Sequence, residues 1–141
     1  MQALTAFFSL HFTLFMAALV TIALLMLVEF VRVKRNTTFC IDTTEAVRLI
    51  NHHQATVIDL RPNDAFRHGH ILAALSLSAK EVLASPKKLE KIRKKMLILV
   101  CSNGSDSQKT APLLAKQGYN VKYLSGGIRA WTNAGMPLLK E

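Results

Sequence analysis

Met96-Leu97-Ile98-Leu99-Val100-Cys101-Ser102-Asn103-Gly104-Ser105-Asp106 holds the clearest structural signal in the chain. Its first five residues are apolar without alternation, which suits a strand covered on both faces, as in a parallel sheet. Small polar residues and a glycine follow at once, and the composition then predicts a helix over residues 107–117, closed by Gly118 at its carboxyl end. Further on, residues 121–124 read as the next strand and residues 128–133 as a last helix before Gly135. Upstream lie a Lys-rich helical stretch broken by Pro86, a strand at residues 74–77, a helical turn around Phe66 and a turn at Pro62 and Asn63. A strand at residues 56–60 comes before these. Asp42 followed by Glu45 has capping-box spacing and opens an amphipathic helix through Ala46, Leu49 and Ile50.

Alternation of strand and helix predicts an open α/β sheet with right-handed crossovers. Ligands of such sheets gather beyond the carboxyl ends of the strands, and Cys101 is the first residue past one of those ends. Amide N–H groups around the loop and at the helix start, with the helix dipole behind them, would stabilise negative sulfur at the loop centre. A thiolate is the nucleophilic form of cysteine, so strand, cysteine, loop and helix together make a candidate nucleophile site. An inert, partly buried cysteine at a strand end is the competing reading of the same spacing.

Ahead of this domain the chain changes character. Residues 1–28 hold no Asp, Glu, Lys or Arg, and residues 4–28 form a predominantly apolar stretch longer than the ~20 residues that a helix needs to cross ~30 Å of hydrocarbon. Thr5, Ser9, Thr13 and Thr21 can bond back to their own helix, and His11 lies near the amino end, where an interfacial position suits it. No Lys or Arg precedes the apolar run, so an uncleaved anchor fits better than a signal peptide. Residues 1–30 therefore read as a transmembrane anchor, 31–36 as a basic juxtamembrane linker and 37–141 as the soluble domain. Arg32, Lys34 and Arg35 follow the span, so the positive-inside rule expects a single-pass inner-membrane protein with its amino terminus outside and its domain cytoplasmic. In that reducing compartment Cys40 and Cys101 are expected to be free thiols.

The formal charge is +9 although only 19% of residues are charged. Part of the excess is the juxtamembrane cluster; another part is Lys87, Lys88, Lys91, Arg93, Lys94 and Lys95. That stretch could lie against anionic lipid, or it could be a solvated helix face with Leu89, Ile92 and Met96 turned inward. No aromatic residues interleave it and no binding motif accompanies it, so nucleic acid is not expected as a partner.

Asp59-Leu60-Arg61, Phe66, Gly69-His70-Ile71, Cys101 with Gly104 three residues on, then Gly126-Gly127-Ile128 with Trp131 and Gly135-Met136-Pro137 follow one another in the order and spacing of the rhodanese-like domain. Residues 37–140 resemble that family, most of all its small single-domain members with an amino-terminal membrane helix. The resemblance implies a five-stranded parallel sheet flanked by helices. It places Cys101 at the catalytic position and Ser102, Asn103, Gly104, Ser105 and Asp106 in the substrate-binding loop. It further implies that the cysteine takes sulfane sulfur from a donor such as thiosulfate, holds it as a persulfide among loop amides, and passes it to a thiol or cyanide. No metal or organic cofactor is implied. Asp59, Arg61 and His70 are read as structural residues near the site, Gly126 and Gly127 as a tight turn, and Trp131 as packing.

The departures from the family pattern carry chemistry of their own. Where the last loop position is commonly arginine, this chain has Asp106, and a carboxylate there disfavours negative sulfur and repels thiosulfate more than it repels a persulfide donor. Leu72-Ala73 replaces the usual Pro-Gly, and Ala65 replaces an acid, with Asp64 as a substitute partner for Arg61. Phosphoryl transfer of the tyrosine-phosphatase kind would need an arginine six residues after the cysteine, where Ser107 stands, and no Gly-x-Ser-x-Gly elbow supports a serine hydrolase. Two functions stay open at this point. One is a membrane-anchored sulfurtransferase with small-molecule or protein donors and acceptors. The other is a noncatalytic binding module beside a membrane-protein partner.

Overall fold

Strand β4, Met96–Val100, lies at the centre of the architecture. Leu97 and Leu99 point into one apolar cluster and Ile98 and Val100 into a second, and none of the four is more than 1% exposed. A run without alternation thus serves two cores at once, which is how a doubly covered strand differs from an edge strand. The computed structural model describes residues 11–84 and 87–140.

Around β4 the sheet contains β1 (Cys40–Ile41), β2 (Ala55–Asp59), β3 (Leu75–Ser76) and β5 (Val121–Leu124), in the order β1-β5-β4-β2-β3. Every pairing is parallel. The helices of this part are α2 (Thr43–Asn51), α3 (Asn63–His68), α4 (Ala79–Leu83), α5 (Lys87–Lys91), α6 (Ser105–Lys116) and α7 (Gly127–Asn133). Val82 of α4, Leu89 of α5 and Ala111 and Leu114 of α6 fill the cluster under Leu97 and Leu99. Ala46 and Leu49 of α2, with Ile128 and Trp131 of α7, fill the cluster on the opposite face. At ~1.5–3 kcal/mol for each fully buried large apolar side chain, these two layers are the main favourable term in folding this unit.

Local chemistry accounts for the helix starts. Asp42 caps α2, its carboxylate accepting from the Glu45 amide at 2.8 Å, as the spacing predicts. Ser78 and Glu81 form a full capping box at α4, a start signal that the lysines of this stretch mask in the sequence. The expected break at Pro86 lies outside the described residues.

Three differences from the sequence expectation exceed a single residue. The two-residue β1 was not anticipated, because nothing in Cys40-Ile41 alone signals a strand; its order comes from pairing with β5. Helix α6 begins at Ser105, two residues earlier than expected, so Ser105 and Asp106 form its first turn and are not loop residues. A continuous α1, Phe12–Phe39, runs through residues 31–36, so the stretch read as a linker is helical.

The chain divides into two compact units, Met1–Thr38 and Phe39–Glu141. In the first unit, Phe12–Val31 is long and apolar enough to cross a membrane, with a mean hydropathy of 2.6. Thr21 donates its hydroxyl to the Ala18 carbonyl at 2.8 Å, so this polar side chain is satisfied within its own helix. Thr5, Ser9 and the rest of residues 1–10 lie outside the described residues.

Candidate active site

Cys101 leaves β4 with its side chain on the α6 face of the sheet and is 2% exposed. Its Sγ accepts the amide N–H of Gly104 at 3.1 Å. Gly104 can aim that amide because it takes a left-handed conformation, φ 91°, immediately before α6. From Gly104 the helix propagates at once, with the Gln108 amide donating to the Gly104 carbonyl at 3.0 Å. One backbone dipole therefore points at the sulfur, and the amino end of α6 begins directly behind it.

The wider ring of amides expected from the sequence is not formed on the sulfur. The Ser105 amide donates to the Asn103 side chain at 3.2 Å, and the Ser105 hydroxyl donates to the same oxygen at 2.8 Å. Asn103 thus closes a local turn that takes the amide away from Cys101. Ser102, Asn103, Ser105 and Asp106 are exposed and form the rim, whereas Gly104 is buried with Cys101. Ser107, buried one residue further, has a hydroxyl with no hydrogen-bond partner among the described residues.

A second element holds the loop from outside, and the sequence reading missed its contacts. The Ile128 and Arg129 amides of α7 donate to the carbonyls of Cys101 (2.9 Å) and Ser102 (3.2 Å). This approach is possible only because Gly127 lacks a side chain. A Cβ there would overlap the Cys101 carbonyl oxygen and lie 2.8 Å from the Gly104 nitrogen and 3.0 Å from that of Asn103, at a φ of 58°. The sequence signal was the Gly126-Gly127 pair, which marked a turn but not the loop it supports.

Asp59 and Arg61 are placed beside the site and turned away from it. Asp59 pairs in register with Val100, the residue before Cys101, and the Leu60 amide donates to the Val100 carbonyl at 2.8 Å. The Arg61 guanidinium forks onto the 1% exposed Asp59 carboxylate at 2.7–3.1 Å and reaches the Gly69 carbonyl at 2.6 Å. Those contacts fix the loop after β2, and they correct the expectation that Asp64 partners Arg61. His70 is buried, with Nδ1 3.0 Å from the Phe66 carbonyl and its ring stacked on Phe66 at 3.9 Å between centroids. Its backbone exchanges two hydrogen bonds of 2.8 Å with Leu139, tying the carboxyl-terminal segment to this loop. Trp131 packs in the core and donates its indole N–H to the Pro137 carbonyl at 3.1 Å.

Comparison with known proteins agrees with this fold. The family model of the rhodanese-like domain matches residues 42–134. An uncharacterised protein of Escherichia coli K12, YibN, is 39% identical over 98 residues, covering 68% of each chain. The thiosulfate sulfurtransferase GlpE of Coxiella burnetii is 32% identical over 88 residues, covering 62% of this chain and 80% of its own. The crystal structure of a rhodanese-related protein from Thermoplasma volcanium superposes with a TM-score of 0.64 at 24% identity, over 72% of this chain and 98% of that one, a likeness of fold.

Proposed function

The chain belongs to the rhodanese-like domain family, and from that membership we propose that it is a membrane-anchored sulfurtransferase carrying sulfane sulfur as a persulfide on Cys101. The observation that carries this reading is the Gly104 N–H aimed at Cys101 Sγ at 3.1 Å, in a loop leading into the amino end of α6. In the first step the Cys101 thiolate attacks the sulfane sulfur of a donor. A new S–S bond forms, the donor's own bond to that sulfur breaks, and the donor leaves with the electron pair. In the second step an acceptor thiolate attacks the outer sulfur of the persulfide, takes that atom and returns Cys101 as thiolate. Neither step needs an external oxidant or reductant. The Gly104 amide and the dipole of α6 stabilise the negative sulfur in each resting state.

Relatives named as thiosulfate sulfurtransferases support the reaction class. Exposed Asp106 on the rim disfavours a dianionic donor, so the donor proposed here is a low-molecular-weight or protein persulfide and the acceptor a thiol. Helix α1 supplies the anchor, with the domain on the cytoplasmic side of the inner membrane.

The test is to incubate the full-length protein in membranes with thiosulfate, polysulfide or glutathione persulfide and to read the Cys101 peptide by mass spectrometry. The expected result is a gain of one sulfur atom on Cys101 with a persulfide donor, absent in Cys101→Ser. No gain with any donor would overturn the enzyme reading and leave the binding module.

A further inference from the structure

We propose that the end of the domain where the strands begin is a docking surface for anionic lipid, reading the membrane through Lys91, Lys94 and Lys95. This rests on the membrane-anchored reading and adds an orientation to it. Between residues 82 and 105 the sequence holds six basic residues and a single acid, Glu90. Leu89 is fully buried and Ile92 packs into the same cluster, while Lys87, Lys91, Lys94 and Lys95 are exposed. None of these four lysines enters an ion pair among the described residues.

Arg93 locates the patch. Its guanidinium donates to the Gln117 carbonyl at 3.1 Å and lies 5.3 Å from the Tyr119 ring centre, closing the carboxyl end of α6. It is thereby committed to structure, and exposed Lys116 immediately precedes Gln117 at the same helix end. Lys95 immediately precedes β4 and lines a hollow of about 320 Å³ together with His53, Ala55 and Leu72. Leu72 is 65% exposed, the most exposed large apolar side chain described in this unit. Lysines around an exposed aliphatic side chain suit a headgroup layer with hydrocarbon beneath it. A nucleic-acid surface would call for exposed Phe, Tyr or Trp rings to stack on, and the Tyr119 ring here is buried.

The acids are arranged the other way. Asp42 caps α2, Asp59 ends β2, and Asp64, Glu81 and Asp106 stand in first turns, all at the end where the strands finish. In a parallel sheet the intervening helices run back, so helix starts gather at one end and helix finishes at the other. Exposed Arg67, Lys80, Lys109 and Arg129 offset those acids at the Cys101 end, so an anionic surface would attract the lysine end more strongly than the Cys101 end. Cys101 would then face the aqueous phase, one β4 length or ~16 Å from the lipid-facing end, open to soluble partners. Each lysine brought near such a surface strengthens the association by about fivefold, and the tether supplies a high effective concentration.

The experiment places the full-length protein in vesicles of phosphatidylcholine alone or mixed with phosphatidylglycerol, floats the vesicles, and measures acetylation of individual lysines by mass spectrometry. Expected is a fall of about fivefold or more in labelling of Lys91, Lys94 and Lys95 in the anionic vesicles. Labelling of Lys109 at the other end should not change. Protection should vanish at 1 M salt, where the screening length is about 3 Å. In the triple variant Lys91→Gln, Lys94→Gln, Lys95→Gln, Lys116 should label equally in both vesicles. Flotation with equal labelling in both compositions would overturn the lipid surface while leaving the anchor. Protection that appears only on adding RNA would overturn it in favour of nucleic acid. Failure to float with either composition would overturn the anchor first and this inference with it.

Discussion

Asp106 stands in the first turn of α6, where the helix dipole favours a carboxylate by about 0.3–1 kcal/mol. That local gain gives a structural reason for an acid at a position where the reaction would be better served by a base. Asp106→Arg exchanges one benefit for the other. We predict that it raises kcat/KM for thiosulfate about tenfold or more, equivalent to ~1.4 kcal/mol, with little change for a neutral organic trisulfide donor. Steady-state kinetics with the two donors would check this, and an equal rise for both would remove the charge argument. Tyr123 offers a second residue-level prediction. Burial and a hydrogen bond from its hydroxyl to Cys40, its register partner on β1, push its pKa up to about 12. Since the folded value exceeds the unfolded value of ~10, the protonated hydroxyl favours the fold fully below pH ~10. That stability is lost as pH rises through the window from about 10 to about 12. Tyrosinate absorbance should show a late step near pH 12 that Tyr123→Phe abolishes; an unchanged titration in that variant would contradict the assignment. At the level of single residues, Cys101 could be found from sequence because it follows an unmistakable strand. The Arg61 to Gly69 contact could not, since it depends on where a loop eight residues away returns.

Helix α7 supports the cysteine loop through two amides and one missing side chain, so its starting turn is where a conservative change should do most damage. Gly127→Ala forces a left-handed residue, costing about 1–2 kcal/mol by itself, and adds overlap with three backbone groups of the loop. We predict a loss above ~2 kcal/mol, or ~10 °C or more in Tm, accompanied by loss of persulfide formation. Thermal unfolding followed by circular dichroism would measure the first and the Cys101 adduct the second. A variant as stable as the parent would mean that α7 does not clamp the loop. The elements best anticipated from sequence were β4, β5 and α2, whose signals are internal: an unbroken apolar run, a bounded short strand, a cap three residues before an acid. Those missed or displaced, β1 and the first turn of α6, owe their form to partners. Cys40-Ile41 becomes a strand by pairing with β5, and Ser105 enters the helix because Asn103 turns the chain for it.

The molecule as a whole joins two units with opposite demands on solvent. Phe12–Val31 presents Leu14, Leu24, Leu25 and Met26 outward, all more than half exposed, while Phe39–Glu141 buries its own apolar layers on both sides of a sheet. A helix with such a surface is stable in hydrocarbon and an aggregation hazard in water. On the proposed anchored reading, the charges on its flank set direction, because Arg32, Lys34 and Arg35 follow the apolar stretch and no Lys or Arg lies between Met1 and Val31. We therefore predict that protease added to spheroplasts leaves the domain intact and that the same protease added to inverted inner-membrane vesicles destroys the full-length chain. Immunodetection of a carboxyl-terminal tag would report both. Moving the charge bias should move the domain. With Arg32, Lys34 and Arg35 changed to Gln and two lysines inserted after Met1, part of the population should turn over and become protease-sensitive in spheroplasts. If the domain is digested in spheroplasts before any such change, the orientation is reversed, and Cys101 would work in a compartment where free thiols do not persist.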